Sequence, residues 1–289
     1  MNVLSLFDGM SCGQIALDKL GIKVDNYFAC EIDKWAMKVT NKNFPDTTQL
    51  GSVTDLHGVD ILLPKIDLLI GGSPCQGFSF AGKQLNFEDP RSKLFFEFVR
   101  ILEEARQVNP DVLFMLENVR MKKEYQDIIS KYLGVQPIMI NSALVSAQNR
   151  RRLYWTNIPN AQTPENLSPF LKDIMLKLDD PLMDLRRPTQ KRLDYCQRKV
   201  DKGWLKTIYK DSSFQFSDCL LASMYKRMQE FIWKDESEQL RFFTPVECER
   251  LQTVPDNYTK GVSNTQRYKM LGNGWTVDVI AHIFKNMKM

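Results

Sequence analysis

Strand and helix signals alternate along roughly the first 155 residues, and this alternation limits the possible folds more than any single motif does. Residues 2–7 form an apolar run of buried-strand length, and residues 13–20 carry helical periodicity. Residues 27–30 read as a second strand, and residues 33–43 as a second helix with Asp33 at its N-cap. Strand runs recur at 68–70, 112–116 and 137–141, with helices fitting at about 92–107 and at 122–133. Repeated β-α-β units predict an α/β fold with a mostly parallel sheet, covered on both faces and binding ligands at the carboxyl ends of its strands. Periodicity weakens after Thr156 and returns near the end, where Val277, Ile280, Ala281 and Phe284 share one helical face.

The weakly periodic stretch holds the positive charge. The chain carries a net +4, yet residues 148–230 alone hold 16 Lys or Arg against 10 Asp or Glu. Trp204, Tyr209 and Tyr225 are interleaved with these cations, a surface suited to a phosphate backbone. The six cysteines form no C-x-x-C pair and there are only two histidines, so neither a metal site nor a disulfide framework is expected. No apolar run approaches the roughly 20 residues needed to span a bilayer, and no signal sequence opens the chain. A soluble, intracellular protein without a membrane partner is expected.

Two turns stand where the sheet should present its chemistry. The first strand ends in Phe7-Asp8-Gly9-Met10-Ser11-Cys12-Gly13, and Glu31 follows the second strand. Glycine allows close approach of a ligand, and the acid can accept from ribose hydroxyls. The turn is not G-x-G-x-x-G, so an adenosyl ligand without a pyrophosphate fits better than a dinucleotide. Asp55 is either an acceptor for an adenine amine or an ordinary turn residue. After residues 68–70 comes Gly71-Gly72-Ser73-Pro74-Cys75-Gln76-Gly77-Phe78-Ser79, in which Cys75 is either a nucleophile or a buried free thiol.

Taken in order, Asp8-Gly9, Glu31, Asp55, Pro74-Cys75-Gln76, Glu117-Asn118-Val119, Gln148-x-Arg150-x-Arg152 and Gly272-Asn273-Gly274 resemble the cytosine-C5 DNA methyltransferases of bacterial and phage modification systems. Gly274-Trp275-Thr276-Val277 has some similarity to the animal de novo class. The resemblance runs from Val3 to Phe284 and is weak only between about 157 and 240. It implies a Rossmann-like S-adenosylmethionine-dependent methyltransferase fold with a smaller target-recognition lobe. The division expected is 1–156 for catalysis and cofactor, 157–240 for target recognition, and 241–289 returning to the catalytic part.

The resemblance also assigns roles. Cys75 would add to cytosine C6, Glu117 would contact N3 and the exocyclic amine, and Arg150 and Arg152, two apart on an extended segment and so facing the same way, would orient Glu117 and the cytosine O2. S-adenosyl-L-methionine would lie against Phe7, Asp8, Gly9, Glu31, Ile32, Asp55, Leu56 and Leu94, completed by Asn273, Gly274 and Trp275. The target must leave the duplex to reach a thiol. DNA contacts are expected from Gln76 and Ser79, from Lys83 in a loop that closes over the double-stranded DNA, from Arg151 on phosphate, and from Lys226 in the basic segment. A cognate restriction endonuclease is the implied partner, in the cytoplasm of a bacterial or phage-infected cell. Two alternatives stay open: an RNA methyltransferase using the same catalytic set on transfer RNA, and a catalytically silent DNA-binding relative.

Overall fold

The computed structural model describes residues 1–56, 65–73, 90–167, 169–226 and 231–287. In chain order the elements are β1 (Asn2–Leu6), α1 (Cys12–Lys19), β2 (Asn26–Cys30), α2 (Lys34–Asn43), β3 (Thr48–Gln49), β4 (Leu68–Gly71), α3 (Pro90–Val108), β5 (Leu113–Val119), α4 (Lys123–Leu133), β6 (Ile138–Asn141) and β7 (Arg151–Thr156). These are followed by α5 (Leu171–Ile174), α6 (Gln190–Asp201), β8 (Ile232–Lys234), β9 (Leu240–Phe242), α7 (Pro245–Leu251), α8 (Asn264–Asn273) and α9 (Val277–Phe284). The described residues group into two compact units. The first comprises 1–141, 151–164 and 279–289, and the second comprises 142–150 and 165–278. Residues 142–150 and 241–278 thus group with the weakly periodic stretch, a different partition from the sequence-derived one.

The first unit is built on a seven-stranded sheet of order β3-β2-β1-β4-β5-β7-β6. β1 to β5 run parallel, and β7 is antiparallel to both β5 and β6. The α/β expectation therefore holds, with a mostly parallel sheet. The central strands are mostly apolar because parallel strands are covered on both faces. Val3, Leu4 and Leu6 of β1 and Leu68, Leu69 and Ile70 of β4 have no exposed surface. Phe95, Phe98, Ile101 and Leu102 of α3 pack with Phe114, Leu116, Leu153 and Trp155 in one core cluster. Asp33 caps α2 by accepting from the Trp35 N–H at 3.0 Å, as its position predicts.

Three differences from the sequence reading have physical causes. β3 is only two residues long, too short to leave a periodic signal. β7 opens on arginines, which masks it as a strand. The last helix is buried nearly all round, because Val279 and Ile283 are as enclosed as Val277, Ile280 and Phe284. His282 is half-buried, with Nε2 2.9 Å from the Gln162 carbonyl oxygen.

The second unit combines the β8–β9 hairpin with short helices and long connections. Several of its buried charged groups are paired. Arg241 and Glu247 meet at 2.7 Å with almost no exposure, and Glu247 also closes a capping box with Thr244 at the start of α7. Arg267 pairs with Glu249 at 2.9 Å.

Candidate active site

The turn after β1 is unusual backbone. Phe7, Gly9 and Ser11 all have left-handed φ, at 58°, 61° and 61°. Such a conformation costs of order 1 kcal/mol or more at a non-glycine residue and persists only where surroundings enforce it. Here the Asp8 N–H donates to the Cys30 carbonyl at 3.0 Å, extending the β1–β2 ladder. The buried Asp8 carboxylate accepts from the Tyr27 hydroxyl at 2.8 Å and from the Ser11 hydroxyl. Burial pushes the Asp8 carboxyl up to about 6; the Ser11 and Tyr27 hydrogen bonds oppose this, and the Glu31 charge adds to it.

Glu31 locks the other side of the turn. One carboxylate oxygen accepts from Gly9 N–H at 2.7 Å, and the other accepts from Ile32 and Asp33 N–H, each at 2.7 Å. The adjacent Ile32 is 79 % exposed. Among the described residues, a Cβ built on Gly9 would meet nothing within 4 Å, which leaves space over the turn. Phe7 and Leu94 pack partly buried against the cluster that contains Leu56, while Asp55 is exposed at the end of a 3-10 turn. An open space beside a fixed acid, an exposed apolar side chain and a second acid fits an adenosyl group.

A second group stands at the carboxyl ends of β4 and β5. Glu117 on β5 is opposite Tyr154 of β7, and Arg152 is opposite Val119, so the two lie diagonally across an antiparallel pair. The Arg152 Nε is 3.0 Å from Glu117 Oε1, with little of either side chain exposed. Asn118 points to the neighbouring strand and donates to Ser73 Oγ at 3.3 Å. Ser73 is buried and stands two residues before Cys75. Cys75, Gln76, Ser79 and Lys83 lie outside the described residues. Among other thiols, burial pushes Cys30 up to about 12 and Cys248 well above its ordinary value, which keeps both protonated.

Arg150 does not share the surroundings of Arg152. β7 begins at Arg151, and Arg150 is 3 % exposed within the second unit. Its guanidinium donates to the carbonyls of Leu220 at 2.8 Å, Gly274 at 2.8 Å and Gly272 at 3.2 Å. The printed partners of the two arginines thus differ, and the regular strand alternation on which the expected common face rests begins at Arg151. Gln148 continues the same frame, donating to Leu251 O at 3.0 Å while its Oε1 accepts from Leu220 N–H at 2.8 Å. Gln252 donates to Leu271 O at 2.7 Å and accepts from the Thr276 hydroxyl at 2.9 Å.

These bonds hold the Gly272-Asn273-Gly274 corner. A Cβ on Gly272 would fall 2.1 Å from the Leu221 carbonyl carbon and 2.4 Å from Ala222 N, so glycine is required by a backbone-to-backbone approach. Beyond it, Asn273 is exposed, Gly274 half-buried and Trp275 nearly buried. Arg151 is exposed on β7, and Lys226 is exposed with its ammonium 5.4 Å from the Tyr225 ring centroid. Sequence reasoning did not find Asn118 or Tyr27 as participants. Asn118 sits inside a motif whose acid draws the attention, and Tyr27 gives only the signal of a strand aromatic.

Comparison with known proteins gives a concordant result. The family described as C-5 cytosine-specific DNA methylase matches residues 1–289. The type II methyltransferase M1.ScrFI of Lactococcus lactis subsp. cremoris is 32% identical, over 99% of this chain and 77% of that protein. The type II methyltransferase M.HhaI of Haemophilus parahaemolyticus is 26% identical, over 99% and 94%. Among solved structures, a DNMT2 mutant from Spodoptera frugiperda is similar with a TM-score of 0.77 at 22% identity, over 99% of this chain and 98% of that one. The methyltransferase EhMeth of Entamoeba histolytica gives 0.78 at 19%, over 100% and 99%. At those identities the two structures speak to the fold.

Proposed function

The chain belongs to the C-5 cytosine-specific DNA methylase family and is a DNA cytosine-5-methyltransferase, and from that premise we propose that it acts on a cytosine flipped out of duplex DNA through a covalent Cys75–C6 adduct. The observation that carries the reading is the Glu117–Arg152 ion pair at the carboxyl end of β5, next to the strand that leads into Cys75. In the first unit, Phe7, Gly9, Glu31, Ile32, Asp55, Leu56 and Leu94 would hold S-adenosylmethionine, which would supply an electrophilic methyl group when bound.

Cytosine C5 is a poor nucleophile until electron density is pushed toward it. The Cys75 thiolate adds to C6, forming the Sγ–C6 bond and moving the ring π electrons toward C5 and N3. Glu117 bonds to N3 and the exocyclic amine, where charge develops, and so favours that addition. Arg152 fixes the orientation of Glu117, and Asn118 holds Ser73 ahead of the nucleophile. Once C5 carries the methyl group, loss of its proton to water or hydroxide restores the double bond as the Sγ–C6 bond breaks. Arg150 holds the corner that carries Asn273 and Gly274. A role in modification, alongside a cognate restriction endonuclease, follows from the type II names of the relatives.

The test supplies labelled S-adenosylmethionine with unmethylated duplex DNA or with transfer RNA. Label is expected in DNA cytosine, and duplex carrying 5-fluorocytosine should trap the protein covalently. Cys75→Ala should abolish transfer and trapping while leaving DNA binding nearly intact. Label entering RNA alone, or full transfer by that variant, would overturn the reading.

A further inference from the structure

The second unit carries a surface that the chemistry above does not use. α6 turns Cys196 inward, and Lys191, Tyr195, Arg198 and Lys202 follow at helical spacing on exposed positions at and just past it. Gly203 then takes a left-handed φ of 68°. Its N–H donates to Val200 O at 2.8 Å, and the Trp204 N–H donates to Lys199 O at 2.8 Å. This is a Schellman closure, which fixes the residue just past the helix end.

That residue is a tryptophan left 68 % exposed. The Lys202 ammonium lies 5.2 Å and the Lys199 ammonium 5.7 Å from its ring centroid, and Lys199 is also 5.2 Å from the Tyr195 centroid. The two acids of the helix offset this row only in part, since residues 190–202 hold five Lys or Arg against two Asp. Asp194 and Asp201 accept from the side-chain amides of Gln190 at 2.8 Å and Gln197 at 2.7 Å. A single exposed apolar side chain is ordinary. A rigidly held indole among several cations is a platform for a ligand that is both polyanionic and partly apolar, and duplex DNA offers phosphates beside deoxyribose faces.

We propose that this end of α6 is a sequence-independent DNA-backbone contact, with Lys191, Arg198 and Lys202 on phosphates outside the target base and Trp204 against a deoxyribose. The inference rests on the reading of duplex DNA as substrate. It assigns the patch to affinity, since cation–phosphate contacts carry no base information.

The experiment measures binding of the full chain to a labelled duplex lacking its preferred sequence, across a range of salt, with methyl transfer followed at saturating cognate DNA. Arg198→Gln combined with Lys202→Gln should weaken binding about tenfold at 0.1 M salt and flatten the log K against log salt slope by about 1.8, at roughly 0.9 per phosphate lost. Trp204→Ala should weaken binding several-fold with the slope unchanged, and transfer at saturating DNA should stay at the wild-type rate in both. Unfolding midpoints verify that the exposed substitutions leave the fold intact. Wild-type binding with unaltered affinity and slope in the cation double variant overturns the patch alone, as does a loss confined to RNA. Wild type that neither binds nor methylates DNA overturns the substrate reading and the patch with it.

Discussion

The Arg152 Nε stands 3.0 Å from Glu117 Oε1 across the antiparallel β5–β7 pair, two residues off direct opposition. In the proposed mechanism the pair makes Arg152 a positioning residue for the group that would meet the base. Arg152→Ala should lower single-turnover methyl transfer about 10²-fold or more, in the range of a lost acid or base function, with DNA affinity changed far less. Arg152→Lys keeps the charge without the planar fork and should recover only part of the rate. Equal loss of affinity and rate would count against this role.

Arg150 should behave differently. It donates to three carbonyl oxygens inside the second unit, so Arg150→Ala takes a charged donor from each, leaving Gly274 O with Gln252 Nε2 at 3.1 Å and Leu220 O with only the weak Cys219 thiol at 3.4 Å. The expected loss is about 3 kcal/mol of stability, read as a lower chemical-denaturation midpoint at unchanged slope. Residual transfer, measured well below that midpoint, should exceed that of the Arg152→Ala protein.

Gly272→Ala tests the backbone approach at the corner. The added methyl would sit 2.2 Å from the Leu221 carbonyl oxygen, a distance that only backbone movement can relieve. A cost of about 1–3 kcal/mol is expected from overpacking, seen as a thermal midpoint lower by several degrees. An unchanged midpoint would mean that the two backbones do not meet this closely.

Asp8 gives the chain a pH signature. Its carboxyl ionises near 6 in the fold and near 3.9 when unfolded, so the folded state holds a proton that the unfolded state has released between those values. That contribution to stability is complete below about pH 4 and is lost as pH rises through 6. Relative to Asp8→Asn, the wild type should therefore lose about 2 kcal/mol between pH 4.5 and 7.5. Parallel stability–pH curves for the two proteins would remove Asp8 as the source.

The sheet was legible because buried parallel strands are mostly apolar runs, as in β1 and β4, and because Asp33 caps where a helix must start. The pairing of Glu117 with Arg152 was less so. It depends on the antiparallel register of β7 against β5, which joins residues far apart in sequence, and the arginines at the head of β7 obscure the strand itself. The same regular alternation, carried one residue too far, places Arg150 beside Arg152. Gly272 enters the sequence reading only as part of the Gly272-Asn273-Gly274 motif, whereas its spacing to Leu221 shows a demand made by the protein's own backbone. The Asp8–Tyr27 bond leaves no trace in sequence, since an aromatic in a strand needs no polar partner to explain it.

The stretch from Gln148 to Arg152 is anchored at both ends, by carbonyl-bound Gln148 and Arg150 on one side and by the Glu117 pair on the other. A one-residue insertion or deletion there would either pull two side chains from their acceptors or shift β7 by one position and turn Arg152 to the opposite face. Chain length is therefore frozen at these five positions, while the mostly exposed run around 159–163 lies outside any helix or strand. Divergence among such enzymes should accumulate as length change in the latter and as almost none in the former.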